Sequence, residues 1–212
     1  MVLRSFLACA TLAVLLGALA AHPAHAQGRH PSDRYDDSFR KYSKRNFGPA
    51  FDWRIFKAQG MAESNLDAAA TSHVGARGVM QLMPATFREI ASKNDELQLI
   101  DDPEMNIAAG IMYDRRLWER WESDSVGGDC RDFVFASYNA GRGTMINAQS
   151  QARVAGLDPQ KWPSIVSVAP KVKRWRQKET LDYLRKIRMY LDGLDDRGRV
   201  IEGAATSPVK KK

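Results

Sequence analysis

The sequence predicts a mainly α-helical domain with little or no sheet, and three observations carry that expectation. Apolar residues recur at helical spacing in separate runs, most plainly Met105, Ala108, Ala109, Met112 and Leu117-Trp118, and later Leu181, Leu184, Ile187 and Leu191. Helix-starting residues (Asp52, Pro84, Asp102-Pro103) stand in front of several of these runs. Strand-like alternation is confined to short fragments, and no internal repeat occurs. With 212 residues the chain is long enough for one well-buried domain plus tails and short for two.

Residues 1–26 have the layout of a secretory leader. Arg4 supplies the basic start, Phe6 to Ala21 is apolar, and Ala24-His25-Ala26 offers small residues at both positions a signal peptidase inspects. Cleavage would send the protein across the inner membrane into the periplasm, and membrane association is expected only if the leader stays attached. Residues 27–49 are polar and basic, with Tyr35, Phe39, Tyr42 and Phe47 at near-helical spacing, which predicts a linker followed by a short helix. Pro49 breaks it. The central domain is expected over 50–194. Its first helix is capped by Asp52 and buries Trp53, Ile55, Phe56 and Met61. Pro84 opens a helix through Ile90, Asp102-Pro103 one reaching about Trp121, and Phe133–Asn139 forms another. Gly141-Arg142-Gly143 is expected as a sharp reversal, followed by helices from Thr144 to about Val154 and from Lys178 to Leu191. Residues 195–212, ending in three lysines, are expected to be a disordered basic tail.

The formal charge is +7, which becomes +6 if the leader leaves with Arg4, its one charged residue. That surplus suits acidic partners without naming one. A nucleic-acid role fits poorly, because the cations are dispersed, no binding module is present and the leader directs export. Without Cys9 the chain has only Cys130, so an internal disulfide is excluded. The remaining histidines, His30 and His73, are too few and scattered for a zinc set or a Cys–His pair.

Glu63 is the candidate catalytic acid. It ends an amphipathic run and is followed by Ser72, Gly78-Val79-Met80-Gln81, Ser137-Tyr138-Asn139-Ala140-Gly141 and Glu179-Thr180 with Tyr183. Protonating a glycosidic oxygen near neutral pH requires a carboxyl group whose pKa is raised by an apolar, half-buried setting. Taken singly each residue has a plainer reading: a solvated glutamate, core tyrosines, a turn at Gly78. Asp67 is open as a second carboxylate or as a loop-stabilising Asx residue. Glu179 is read as structural, and Trp118, Trp121, Trp162 and Trp175 as core or groove rim.

Together, from Phe51 to Tyr190 and over about two thirds of the chain, these blocks resemble the catalytic domain of the soluble lytic transglycosylases, goose-lysozyme-like enzymes that cut peptidoglycan. Glu63-Ser64 looks like their catalytic pair, and Gly78-Val79-Met80-Gln81 is similar to Gly-Leu-Met-Gln. The departures are Val79 for Leu and Ser137 for Ala. The resemblance implies a goose-type lysozyme-like fold, peptidoglycan glycan strands as partner, and no metal or organic cofactor. It implies that Glu63 acts as acid and then base. Ser72, Met80, Gln81, Tyr138, Asn139 and Tyr183 would contact substrate, while Ser64, Gly78, Gly141 and Glu179 would support the site. A different class of function stays open: a wall-binding protein that grips glycan without turnover, as part of a secretion or wall-assembly apparatus.

Overall fold

The computed structural model describes residues 31–124, 126–201 and 203; the expected leader lies outside them. The described residues form eight α-helices: α1 (Asp36–Phe47), α2 (Arg54–Ser64), α3 (Pro84–Ala91), α4 (Pro103–Ser123), α5 (Cys130–Ala140), α6 (Arg142–Val154), α7 (Trp162–Val168) and α8 (Gln177–Asp192). Among them no strand forms, only the isolated bridges Thr71–Arg77, Arg77–Leu82 and Leu194–Val200.

The organising element is α4. Asp102 accepts a hydrogen bond from Met105 N and Pro103 occupies the first turn, so the start satisfies an orphan donor and omits another. Its 21 residues span about 31 Å. Ile107, Ala108, Ala109, Ile111, Leu117 and Trp121 are all buried. Helices α1 and α5 pack along it, α2 lies against α8, and α5 also meets α6 and α8. The catalytic candidates on α2, α5 and α8 thereby converge on one wall.

Three local outcomes differ from the sequence expectation. First, the helix foreseen within 27–49 is α1, and it belongs to the core: Phe39 and Tyr42 are buried in the same cluster as α2 and α4. Second, residues 195–201 are folded, not a loose tail; Asp195 Oδ1 accepts from the backbone N of Arg197 and Arg199, closing a tight turn. That turn is docked by Arg40 on Arg197 O (2.6 Å), Arg54 on Asp195 O (3.2 Å) and Lys57 on Gly198 O (2.6 Å). The lysine is wholly buried and also lies 2.7 Å from Asp36 Oδ1 and 3.2 Å from Asp33 Oδ1. A charge removed from water needs all these partners, so α1, α2 and the turn are fastened to one another through it. Residues 202 and 204–212 lie outside the described set. Third, Gly143 sits inside α6, and the reversal is made by Gly141 alone, at φ 84.

Helix α7 was not foreseen. At seven residues it is too short to show a period, yet Pro163 sits in its first turn and Trp162, Ile165 and Val168 are buried at i, i+3 and i+6.

Candidate active site

Glu63 occupies the last turn of α2, one residue before the helix ends at Ser64. The chain turns sharply there, because Asn65 and Leu66 both adopt left-handed φ (56° and 62°). Ser64 fastens this corner: its Oγ donates to Val79 O (2.8 Å) and accepts from Asp67 N (3.1 Å). Asp67 in turn accepts from Ala69 N (2.9 Å), an Asx bond, so its carboxylate is occupied in holding the loop.

Opposite the corner lies the Gly78–Gln81 turn. Gly78 has φ 78, and a Cβ there would stand 2.5 Å from Asn106 Nδ2. Asn106, fully buried on α4, holds the turn by accepting from Met80 N (2.8 Å) and donating to Arg77 O and Ile100 O (3.0 Å each). The methionine then seats its side chain against Gly110 of α4, where a Cβ would approach it to 2.8 Å. Met80 is 0% exposed, so it offers no surface to a groove. The sequence reading of Met80 as a substrate-contacting floor is corrected: the close α4 backbone draws it into the core. What it supplies to the site is its carbonyl, which accepts from the Tyr138 hydroxyl at 2.8 Å.

The other expected site residues are also tied into hydrogen bonds. Gln81, at φ 45, donates through Nε2 to Ala70 O (3.1 Å) and Gly78 O (3.0 Å). Ser72 Oγ accepts from Ala76 N (3.0 Å). Asn139 Oδ1 accepts from Thr180 Oγ1 (2.8 Å), which itself accepts from Trp175 Nε1 (2.9 Å), a chain linking α5 to α8. Glu179 is exposed and paired with Arg176 at 2.6 Å. Trp121, Trp162 and Trp175 are buried, and Trp118 packs partly against the core.

Burial pushes the Glu63 carboxyl up from 4.5 to about 7. Tyr183 and the positive charge of Lys186 oppose that rise, while Glu179 adds to it. The Tyr183 hydroxyl lies beside the carboxyl, close enough to perturb it electrostatically but outside ordinary hydrogen-bond geometry. Behind Glu63 is a group the sequence reading missed. Asp114 of α4 is completely buried, its acidity pushed well above the carboxylate range by burial, then lowered by Gln59, whose Nε2 lies 3.4 Å from Oδ1. Gln59 Oε1, Asp114 Oδ2 and Tyr183 Oη make no hydrogen bond within the protein, so a strongly polar but enclosed wall stands behind the acid. Cys130 is buried with its thiol pushed up to about 11, which leaves it an inert packing residue. Among the described residues no three His, Cys, Asp or Glu side chains gather as metal ligands.

The arrangement has a direct titration test. Carboxyl-carbon NMR should show Glu63 changing charge near pH 7, and Tyr183→Phe should move that midpoint upward, because the phenol favours the anion. A midpoint near 4.5 in the wild type would remove the basis for treating this group as an acid at neutral pH.

The comparisons with known proteins agree with this geometry. The family described as "Transglycosylase SLT domain" matches residues 40–159, more than half of the chain. Relatives named membrane-bound lytic murein transglycosylase F include one from Ectopseudomonas mendocina, 30% identical over 79% of this chain and 35% of its own. Another, from Desulfosudis oleivorans, is 32% identical over 71% of this chain and 34% of its own. The chain thus spans about a third of the length of these relatives. The soluble lytic transglycosylase SLT70 of Escherichia coli superposes with a TM-score of 0.54 at 26% identity, over 79% of this chain and 26% of that one. Among the described residues no helix is long and apolar enough to cross a membrane. With its lysozyme-like, mainly α architecture and the Glu63 corner in place, the chain belongs to the transglycosylase SLT domain family.

Proposed function

We propose that this chain is a periplasmic lytic transglycosylase. It cleaves the β-1,4 bond between N-acetylmuramoyl and N-acetylglucosaminyl residues of peptidoglycan and leaves 1,6-anhydro-muramoyl ends. The observation that carries the reading is the enclosed Glu63 carboxyl, half-protonated at about pH 7 and flanked by Tyr183. At that pH one group can give a proton and take one back.

In the first step Glu63 protonates the glycosidic oxygen, the C1–O bond breaks, and the substrate's acetamido oxygen closes on C1. In the second, the Glu63 carboxylate accepts the proton of the muramoyl 6-hydroxyl. O6 then bonds to C1 as the acetamido oxygen leaves, which restores the neutral acid. No water enters the product. The enclosed Tyr138 hydroxyl, bonded to Met80 O, and the Thr180-held Asn139 give the cleft a fixed polar edge beside the acid. A hydrolase of the two-carboxylate type needs a second ionised acid. Here Asp67 is bound to loop backbone and Asp114 is buried in its neutral form, which favours the single-acid route.

Digestion of purified sacculi followed by mass spectrometry of the soluble fragments tests this. Anhydro-muramoyl termini are expected; reducing termini alone would assign a hydrolase, and intact sacculi would assign a binding protein.

A further inference from the structure

The segment between α7 and α8 carries five cations in eight residues: Lys171, Lys173, Arg174, Arg176 and Lys178. Such a run is ordinarily a solvated face, but here it is anchored. Val172 and Trp175 are buried at 6% and 8% exposure, so the chain is nailed down every third residue and the cations between are presented outward. Trp175 is held further by its bond to Thr180. Arg174, between the anchors, is fixed at φ 61, a left-handed conformation that non-glycine residues seldom adopt and that accumulates at ligand sites.

Clefts open along this segment. One of about 440 Å³ is lined by Lys171, Lys173, Asn147, Ser150 and Gln151. A second, of about 180 Å³, brings Arg174 and Arg176 to Asn139 and Thr180. A third, of about 470 Å³, holds Arg176, Lys178, Glu179 and Asp182. Arg176 and Lys178 are paired, with Glu179 and Asp182, both at 2.6 Å. Lys171, Lys173 and Arg174 have no ion pair with any described residue. The second cleft is joined to the catalytic corner, because Thr180 lies one helical turn before Tyr183 on α8.

We propose that this cationic cleft binds the carboxylates of the acidic peptides that muramoyl residues carry, so that the protein engages the peptide as well as the sugar. The ligand class rests on the transglycosylase reading. The site itself rests on the anchored cations and clefts. Alternation of unpaired cations with Glu179 and Asp182 suits a peptide bearing both carboxylates and an amine better than a polyphosphate chain, which the acids would repel.

The probe is N-acetylmuramoyl tetrapeptide, which has no glycosidic bond to cut and so reports binding whatever Glu63 does. Calorimetry with the full chain should show it binding more tightly than N-acetylmuramic acid. Lys171→Gln combined with Lys173→Gln, and separately Arg174→Asn, which keeps a residue tolerant of left-handed φ, should each weaken it by about tenfold. Binding should also weaken as salt screens the exposed cations. Equal affinity for the two probes, or variants that bind the tetrapeptide as the wild type does, would overturn the proposal. So would loss of binding to anionic phosphatidylglycerol vesicles alone, which would assign the patch to a phosphate surface. Melting curves confirm that the variants are folded. Loss of anhydro products with tetrapeptide binding intact would fault only the catalytic reading.

Discussion

Glu63→Gln is expected to lower the rate of peptidoglycan cleavage by roughly 10³-fold, the scale of losing a positioned acid and base. It should at the same time make the protein more stable above pH 7. The carboxyl titrates near 4.5 in an exposed state and about 7 in the folded one. Between those values the folded protein holds a proton that the unfolded chain has released. Stability therefore falls as pH rises through that window, and the wild type at pH 8 keeps the full penalty of a buried anion. Glutamine has the same shape and no charge to bury. The gain should be on the order of 2 kcal/mol, discounted for the partial exposure of the site. At roughly 2–4 °C per kcal/mol for a domain of this size, melting curves at pH 5 and pH 8 should diverge between the two proteins. Wild-type turnover by the variant would remove Glu63 from the mechanism. An unchanged melting temperature at pH 8 would show that its carboxyl is not enclosed.

Lys57→Met should be the most destabilising single change outside the apolar core. It keeps the volume of the aliphatic stem and removes the ammonium that Asp36, Asp33 and Gly198 O share. Breaking one side of a buried ionic cluster typically costs about 3–5 kcal/mol, mostly from the charge left behind. Burial already lifts Asp36 above its ordinary value, against the pull of Lys57. Without the lysine that lift grows, so the folded state prefers a proton the unfolded chain has lost above pH 4. The deficit should thus be larger at pH 7.5 than at pH 4, and pairing the change with Asp36→Asn should restore part of it. Urea unfolding at the two pH values reads this out. A loss independent of pH would mean that the stem, not the charge, is what matters there.

The helices with long apolar periods, α4 and α8, were legible in the sequence because 16 to 21 residues display a face several times over. Helix α7 was not, since two turns cannot establish a period. The order of the Glu63, Gly78–Gln81, Tyr138-Asn139 and Tyr183 blocks located the catalytic corner but not the direction of each side chain. Met80 shows why: whether it faces groove or core depends on Gly110 of α4, thirty positions away. The supporting polar residues did leave a trace. Asn106, Gly110 and Asp114 follow one another at i, i+4 and i+8, a polar and small stripe along a helix face that is otherwise apolar. Gln59 stands one turn before Glu63 in the same fashion. Each is a polar residue where periodicity asks for an aliphatic one, and that contradiction is what a functional wall looks like before folding. The ordered turn after Asp195 was hidden for a different reason: its local composition is that of a tail, and only the buried amine of Lys57 recruits it.

That recruitment has a mechanical corollary. The opening turn of the domain at Asp33 and its closing turn at Gly198 both sit within 3.2 Å of one nitrogen. Neither extremity can peel away without stripping the other of its partner. Tension applied through whatever precedes or follows the domain is thus delivered to a latch on α2, six residues upstream of the acid, and the clasp must give way before the helix bearing Glu63 is disturbed.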